Sequence, residues 1–373
     1  MSEIKETSQH LKSLKIFQPS IILDSNKVLS NIEQMASKAR KSGVVFRPHF
    51  KTHQSAEIGS WFRDFGVEKI TVSSLDMALY FAENDWNNIT VAFPVNILEI
   101  EKINMMAGDL QLNLMLDSVA VATALEKQLK YPVGVWIKID VGYGRAGIAW
   151  NKKPAIRELY QKICRSHLLE FEGILTHSGH VYQAKSTSEI RDIYGTTVQR
   201  LDKIKTSLRS AECQISIGDT PSCALVDDFS GLDEIRPGNF VFFDLMQENL
   251  GVCSAENIAV AVACPIVAKY ADRRELVIFG GGIHFSKESL IDEKGEKIFG
   301  YLTWLENGRL GPILKNASVV ALSQEHGIIR VDDEMFDQLS IANMVLIYPV
   351  HSCLTANLYD EYMTIQGNKI SRL

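Results

Sequence analysis

Several absences narrow this chain before any motif is read. Its cysteines, at 164, 213, 223, 253, 264 and 353, show none of the short paired spacings of a zinc ribbon or a disulfide framework. That usage fits reduced thiols in a cytoplasmic protein. No apolar run approaches the roughly 18 residues of a membrane span. The longest candidate, IAVAVACPIVA, is interrupted by Pro265. Positive charge is not in excess either: 39 Lys and Arg against 45 Asp and Glu leave a net charge of −6. Nucleic acid and anionic membranes are therefore not expected partners. The opening MSEIKETSQHLKS is polar and mixed in charge, unlike a secretory signal. No G-x-G-x-x-G follows the first strand pattern, so a dinucleotide fold has little support. Internal repeats, low-complexity tracts and disordered linkers are also missing.

What is present is 373 residues, 46% of them hydrophobic, enough for one large domain and a smaller one. Over the first 220 residues β-rich runs alternate with helical patterns. The strand candidates are SIILD, VVFRPHFK, KITVSS, NITVAF, LNLML, VGVWIKID, FEGILTH and CQISIG. Between them lie segments such as NKVLSNIEQMASKARKSG, with apolar positions at three and four and Gly43 as a stop. Eight strands separated by helices predict a parallel (β/α)8 TIM barrel over 20–245. From about Glu234 turns replace long helices between NFVFFD, AVAVACPIVAKY, ELVIFGGG, SVVALSQEHGIIRV, MVLIYPVHS and YMTIQG. These predict a mostly β domain over 246–373, against which 1–19 could pack.

Chemistry in such a barrel sits at the C-terminal ends of the strands. Lys51 follows the second predicted strand, between His49 and His53. Arg145 follows the sixth in DVGYGRAG, and His177 and His180 close the seventh in THSGHVY. SIGDTPS follows the eighth, where barrels commonly seat phosphate on backbone N–H groups. A lysine at a barrel mouth that also offers a phosphate seat fits a Schiff base with pyridoxal 5'-phosphate. Alternation along a continued strand would put His49 and His53 on the face of Lys51. Desolvation and nearby positive charge would bring that amine toward neutrality, as proton transfer at a substrate Cα requires. Arg145 has a second reading, as an ion-pair partner of Asp140.

PVHSCLT holds His351 and Cys353 two apart, which on a strand aims both to one face. An imidazole and a thiolate together favour zinc over magnesium or calcium, and two protein ligands leave positions open for water and substrate.

In order, PHFKTH, DVGYGRAG, THSGHVY, SIGDTPS, EIRPGNFVFFDLMQ, SQEHG and PVHSCLT resemble the D-serine dehydratase and D-threonine aldolase family. This family belongs with the alanine racemase-type, fold type III pyridoxal phosphate enzymes. The resemblance runs from about Ile21 to the C-terminus. It implies Lys51 as the Schiff-base lysine, Arg145 on the cofactor's phenolic oxygen and His177 against the pyridine ring. It also implies Gly218, Asp219 and Thr220 at the phosphate, and Tyr182 near the cofactor. D-serine dehydratases carry zinc on an H-x-C pair in this place; D-threonine aldolases more often carry H-x-D with a harder ion.

The expected activity is a lyase acting on D-configured β-hydroxy amino acids, with loss of water to give a 2-oxo acid and ammonia. Retro-aldol cleavage to glycine and an aldehyde is the alternative. A racemase or a non-catalytic pyridoxal phosphate carrier is a weaker fit, because neither needs the H-x-C pair. Folds of this type pair head to tail, so a homodimer is expected. Two places depart from the family pattern: Val350 stands before His351, and FGGGIHFSKE spans 279–288.

Overall fold

The computed structural model describes residues 2–373. Contacts divide the chain into two units. One is Glu33–Gly238, and the other combines the residues up to Ile32 with Asn239–Arg372.

The strands of the barrel unit follow β1 (Ser20–Leu23), which lies outside it: β2 (Val45–Phe46), β3 (Ile70–Val72), β4 (Asn88–Pro94) and β5 (Gln111–Leu116). Next come β6 (Val133–Asp140), a short β7 (Ile148–Ala149), β8 (Leu169–Thr176), β9 (Gln214–Ile217) and β10 (Glu234–Ile235). The parallel order is β2-β10-β9-β8-β6-β5-β4-β3, with β7 paired beside β6. A parallel bridge from His49 to Thr71 joins the two outer strands and completes the ring. The eight-stranded barrel is therefore present, but its membership differs from the expected one. SIILD is not a barrel strand: β1 pairs antiparallel with Val260–Ala263 and parallel with Met363–Thr364. The two-residue β10, hidden in EIRPG, takes the vacant place. A run of three apolar residues identifies a buried strand without naming its partners, so the pattern alone does not place β1.

The helix predicted before Gly43 forms over Ser25–Lys41. Gly43 has φ 68°, the left-handed conformation glycine adopts most cheaply at a helix end.

The second unit is built on a nine-stranded sheet. Its order is Glu275–Phe279, His326–Val331, Leu314–Leu322, Gly300–Thr303, Met344–Pro349, Val260–Tyr270, β1, Glu361–Thr364 and Lys369–Ser371. The first helix, Ser2–Ser13, is tied to this unit. Thr7 Oγ1 accepts from the Leu305 amide at 2.7 Å, and Ser8 Oγ from that of Met344 at 2.9 Å. NFVFFD forms no strand; it makes a 3-10 turn over Asn239–Val241, and Asp244 then caps the helix Leu245–Asn249. Phe240, Val241, Phe242 and Phe243 are all buried, so the run carries no face alternation from which a strand could be told. FGGGIHFSKE is explained by packing. A Cβ on Gly281 would lie 2.2 Å from the Gln324 carbonyl oxygen, and one on Gly280 2.5 Å from Cys264 Sγ. Among the described residues no helix is long and apolar enough to cross a membrane.

One glycine controls how closely two site-bearing strands approach. Gly173, at a register shift in β8, has φ 155°, and a Cβ there would lie 2.2 Å from the Gln214 carbonyl oxygen of β9. Backbone cannot yield as a flexible side chain can. Gly173→Ala should therefore cost about 3 kcal/mol or more, read as a lowered urea midpoint. An unchanged midpoint would show that β8 and β9 can separate without loss.

Candidate active site

Lys51 sits in the turn directly after the His49 bridge, exposed at the C-terminal end of the first barrel strand. His49 stays beside it: its Nδ1 accepts a weak hydrogen bond from the Lys51 amide at 3.4 Å. His53 does not. The strand stops before it, so alternation no longer applies. His53 is fully buried, its ring centroid 4.5 Å from Phe50 and 5.7 Å from Phe62. There its Nδ1 accepts from the Ser55 amide at 3.2 Å. That environment holds a turn together and keeps the ring from solvent, so the expected face shared with the exposed Lys51 is not formed.

The loop bearing Arg145 is shaped by Asp140. Its Oδ1 accepts from the amides of Gly142 and Tyr143, each at 2.9 Å, and of Gly144 at 3.0 Å. Burial works against that charge, but these three amides hold Asp140 below the usual carboxylate range. Asp140 is thus occupied with backbone. The guanidinium of Arg145 lies over the Tyr143 ring, 5.3 Å from its centroid, and is exposed.

His177, at the end of β8, is hydrogen-bonded through Nδ1 to the Gly218 carbonyl at the end of β9. A carbonyl can only accept, so Nδ1 carries the proton and Nε2 is left bare. Desolvation, followed by the charges of Lys138, Arg145 and Lys51, lowers the His177 pKa well below the ordinary histidine value. Tyr143 meets the His177 ring edge-on at 6.1 Å and Tyr182 lies 6.2 Å from it, with His180 stacked on Tyr143.

Gly218 opens the turn at which the helix Thr220–Leu225 begins. Asp219 caps that helix, accepting from the Ser222 amide at 2.8 Å. Burial pushes the Asp219 carboxyl up to about 6. A Cβ on Gly218 would lie 3.0 Å from both Nη1 and O of Arg236, so the turn rests directly on that arginine. Arg236 is buried, with Nε on Ser216 Oγ at 2.7 Å and Nη2 on the Thr176 carbonyl at 2.8 Å.

Two basic groups here were not singled out from the sequence. Arg236 is one. The other is Lys138, whose amine burial brings down to about 7, with Arg236 and Arg145 adding to the effect. A lysine inside the apolar run VGVWIKID was the available signal. Together Lys51, Lys138, Arg145 and Arg236 concentrate positive charge around two imidazoles, since His49 is likewise lowered, first by desolvation and then by Lys51 and Arg236. The mouth is prepared for an anion. Gly218 removes the side chain that would otherwise cover Arg236, so a phosphate-bearing cofactor fits these residues.

His351 and Cys353 lie in the second unit. They do not share a strand face, because Met344–Pro349 ends first. His351 is the extended cap residue of the helix Ser352–Ala356, and Cys353 sits in its first turn. That geometry still brings the side chains into hydrogen-bond contact. Burial opposes a charged His351, yet the Cys353 hydrogen bond and the charges of Cys353, Asp244 and Glu288 raise it to about 9. Nitrogen and sulfur donors meeting amid negative charge suit a thiophilic divalent ion. Among the described residues no cluster of three or more such ligands forms.

A barrel of this order joined to a β unit is the architecture of alanine racemase-like enzymes. The family model for the alanine racemase N-terminal domain matches residues 23–245, and one described as "Putative serine dehydratase domain" matches 259–365. The chain belongs to the alanine racemase N-terminal domain family, and within it is a pyridoxal phosphate-dependent lyase. It is 31% identical to a D-serine dehydratase of Dictyostelium discoideum, covering 94% of this chain and 93% of that one. It is 25% identical to the D-threo-3-hydroxyaspartate dehydratase of Delftia sp. (strain HT23), covering 95% and 96%. The structure of that enzyme superposes with a TM-score of 0.88 over 96% of this chain and 98% of its own. Structures of the same enzyme include a cysteine-to-alanine mutant in the metal-free form. A D-threonine aldolase from Arthrobacter sp is 22% identical, over 95% of this chain and 91% of that one.

The His177 assignment has a direct check. A lowered pKa means the ring stays neutral at neutral pH and charges only in distinctly acid solution. Nitrogen NMR of the folded protein should show Nδ1 protonated and Nε2 bare from about pH 8 down to about pH 5.5. Titration of this ring near its ordinary value would refute the buried neutral tautomer.

Proposed function

We propose that this chain removes water from D-configured β-hydroxy amino acids, giving a 2-oxo acid and ammonia, with pyridoxal 5'-phosphate and a divalent ion, zinc by preference. The observation that carries the reading is the cationic barrel mouth: Lys51, Lys138, Arg145 and Arg236 around His49 and His177. Lys51 would hold the cofactor covalently, the turn Gly218–Asp219–Thr220 its phosphate, and Arg145, His177 and Tyr182 its ring. Bound there, pyridoxal phosphate would supply an electron sink for the charge left on the substrate's Cα. Lys51 Nζ would take the Cα proton, with His49, whose Nδ1 accepts from the Lys51 amide, as a candidate for relaying it. His177 would meet the cofactor ring as a neutral imidazole, its Nδ1 kept on the Gly218 carbonyl. A divalent ion on His351 and Cys353 would act as a Lewis acid on the β-hydroxyl, making it a better leaving group.

The relatives' names support the substrate class. The thiolate in the donor pair favours dehydration over retro-aldol cleavage, in which the β-oxygen stays on carbon. In this reading Glu33–Gly238 serves the cofactor, while the unit of Asn239–Arg372 and the residues up to Ile32 carries the metal pair. We also assign the protein to the cytosol as a homodimer; sedimentation at assay concentration should find two chains per particle, and a fully active monomer contradicts this. His53 we leave out of the proton path, given its aromatic cage.

Purified protein given D-serine, D-threo-3-hydroxyaspartate and D-threonine should release 2-oxo acid. Lys51→Ala should lower that rate roughly 1,000-fold or more. Borohydride reduction followed by peptide mapping should place the pyridoxyl group on Lys51. Glycine and aldehyde as the sole products would replace dehydratase by aldolase.

A further inference from the structure

The carboxylate of Asp244 lies behind the His351–Cys353 pair. Asp244 is 1% exposed, yet its two oxygens are fully used. Oδ1 accepts from the Gln247 amide at 3.0 Å and caps the helix Leu245–Asn249. Oδ2 accepts from the Ser352 amide at 2.9 Å, Ser352 Oγ at 3.1 Å and Asn239 Nδ2 at 2.7 Å. Ser352 is the residue between the two ligands. The same Asn239 amide reaches Ser352 Oγ at 3.1 Å and Cys353 Sγ at 3.5 Å. His351 turns its Nδ1 edge toward Oδ2, at 3.9 Å.

We infer that Asp244 is a positioning residue which, with Asn239, fixes the backbone between His351 and Cys353 so that Nε2 and Sγ are preset for one metal ion. The inference rests on the metal reading above. One buried acceptor holding both donors of the intervening serine leaves that segment a single low-energy arrangement. Nδ1 accepts from the Leu354 amide at 3.5 Å, which leaves Nε2 as the nitrogen for the ion. Outer groups of this kind orient ligands and raise their basicity. An amide cannot substitute. With its oxygen toward Ser352 and Asn239, its NH2 would oppose the Gln247 amide; turned round, it would oppose three donors.

The test compares wild type, Asp244→Asn, Ser352→Ala and Cys353→Ala as full-length holoenzymes. Zinc affinity is read by competition with a chromophoric chelator, and the cobalt-substituted proteins by their thiolate-to-cobalt absorption. Wild type should hold one zinc per chain and Cys353→Ala none. Asp244→Asn should bind roughly 10–100-fold more weakly, with a shifted cobalt band and an unchanged cofactor content. Ser352→Ala, which loses one donor and keeps the backbone one, should fall between. It decides the matter if Asp244→Asn does not fold. If wild type holds zinc and both variants match it in affinity and cobalt spectrum, the positioning role is overturned while the metal reading stands. If wild type holds no metal, the metal reading falls and takes this inference with it.

Discussion

The barrel unit depends on a charge that is costly to bury. Arg236 lies under the Gly218 turn with almost no exposure. Moving an ion out of water costs several kcal/mol even after the surroundings relax, so it persists only where partners are fixed. Glu234 supplies the countercharge at 3.8 Å and is itself held by Arg47 at 2.5 Å, while Ser216 Oγ accepts from Nε and the Thr176 carbonyl from Nη2. Burial is also the first cause of the unusual protonation states around it. Lys138, His49 and His177 all lose affinity for protons because they are desolvated within a basic cluster, and Arg236 lowers two of them directly. Such a mouth has a positive potential and few mobile protons. It favours a dianionic phosphate or a carboxylate and keeps its imidazoles neutral.

Much of this was legible in the sequence, and the parts that were not have identifiable reasons. His177, Gly218 and Arg145 announce themselves because a barrel places its chemistry where strands end, and each follows an unmistakable apolar run. Lys138 and Arg236 do not, because a basic residue within a strand looks the same whether its partner is solvent or a buried glutamate. The ring membership failed at β1 and β10 for a related reason. Local pattern reports burial, while pairing is decided by chain segments more than 200 residues away, as with Ile22 and Ala261. The face that alternation assigns jointly to His53 and Lys51 does not form. Alternation holds only while the strand continues, and the chain turns at Phe50 to build the aromatic cluster that encloses His53.

The H-x-C pair shows the opposite outcome, a correct meeting reached by incorrect geometry. A strand would align His351 and Cys353 through period two. The structure does so with an extended cap residue followed by one helical turn. The difference has consequences, because a helix start leaves its first amides without partners of their own. One of them, from Ser352, goes to Asp244. The spacing that reads as a metal pair is therefore also the spacing that lets a buried carboxylate hold the residue in between.

The two units then present opposite chemistry. The barrel gathers lysines and arginines around neutral imidazoles. The β unit gathers the Cys353 sulfur and two carboxylates around one imidazole, which is raised to about 9 against the effect of burial. A racemase working by proton transfer alone would need only the first set of groups. The buried carboxylate of Asp244, beside His351 and hydrogen-bonded to Ser352, is a feature that such a reaction would leave without use.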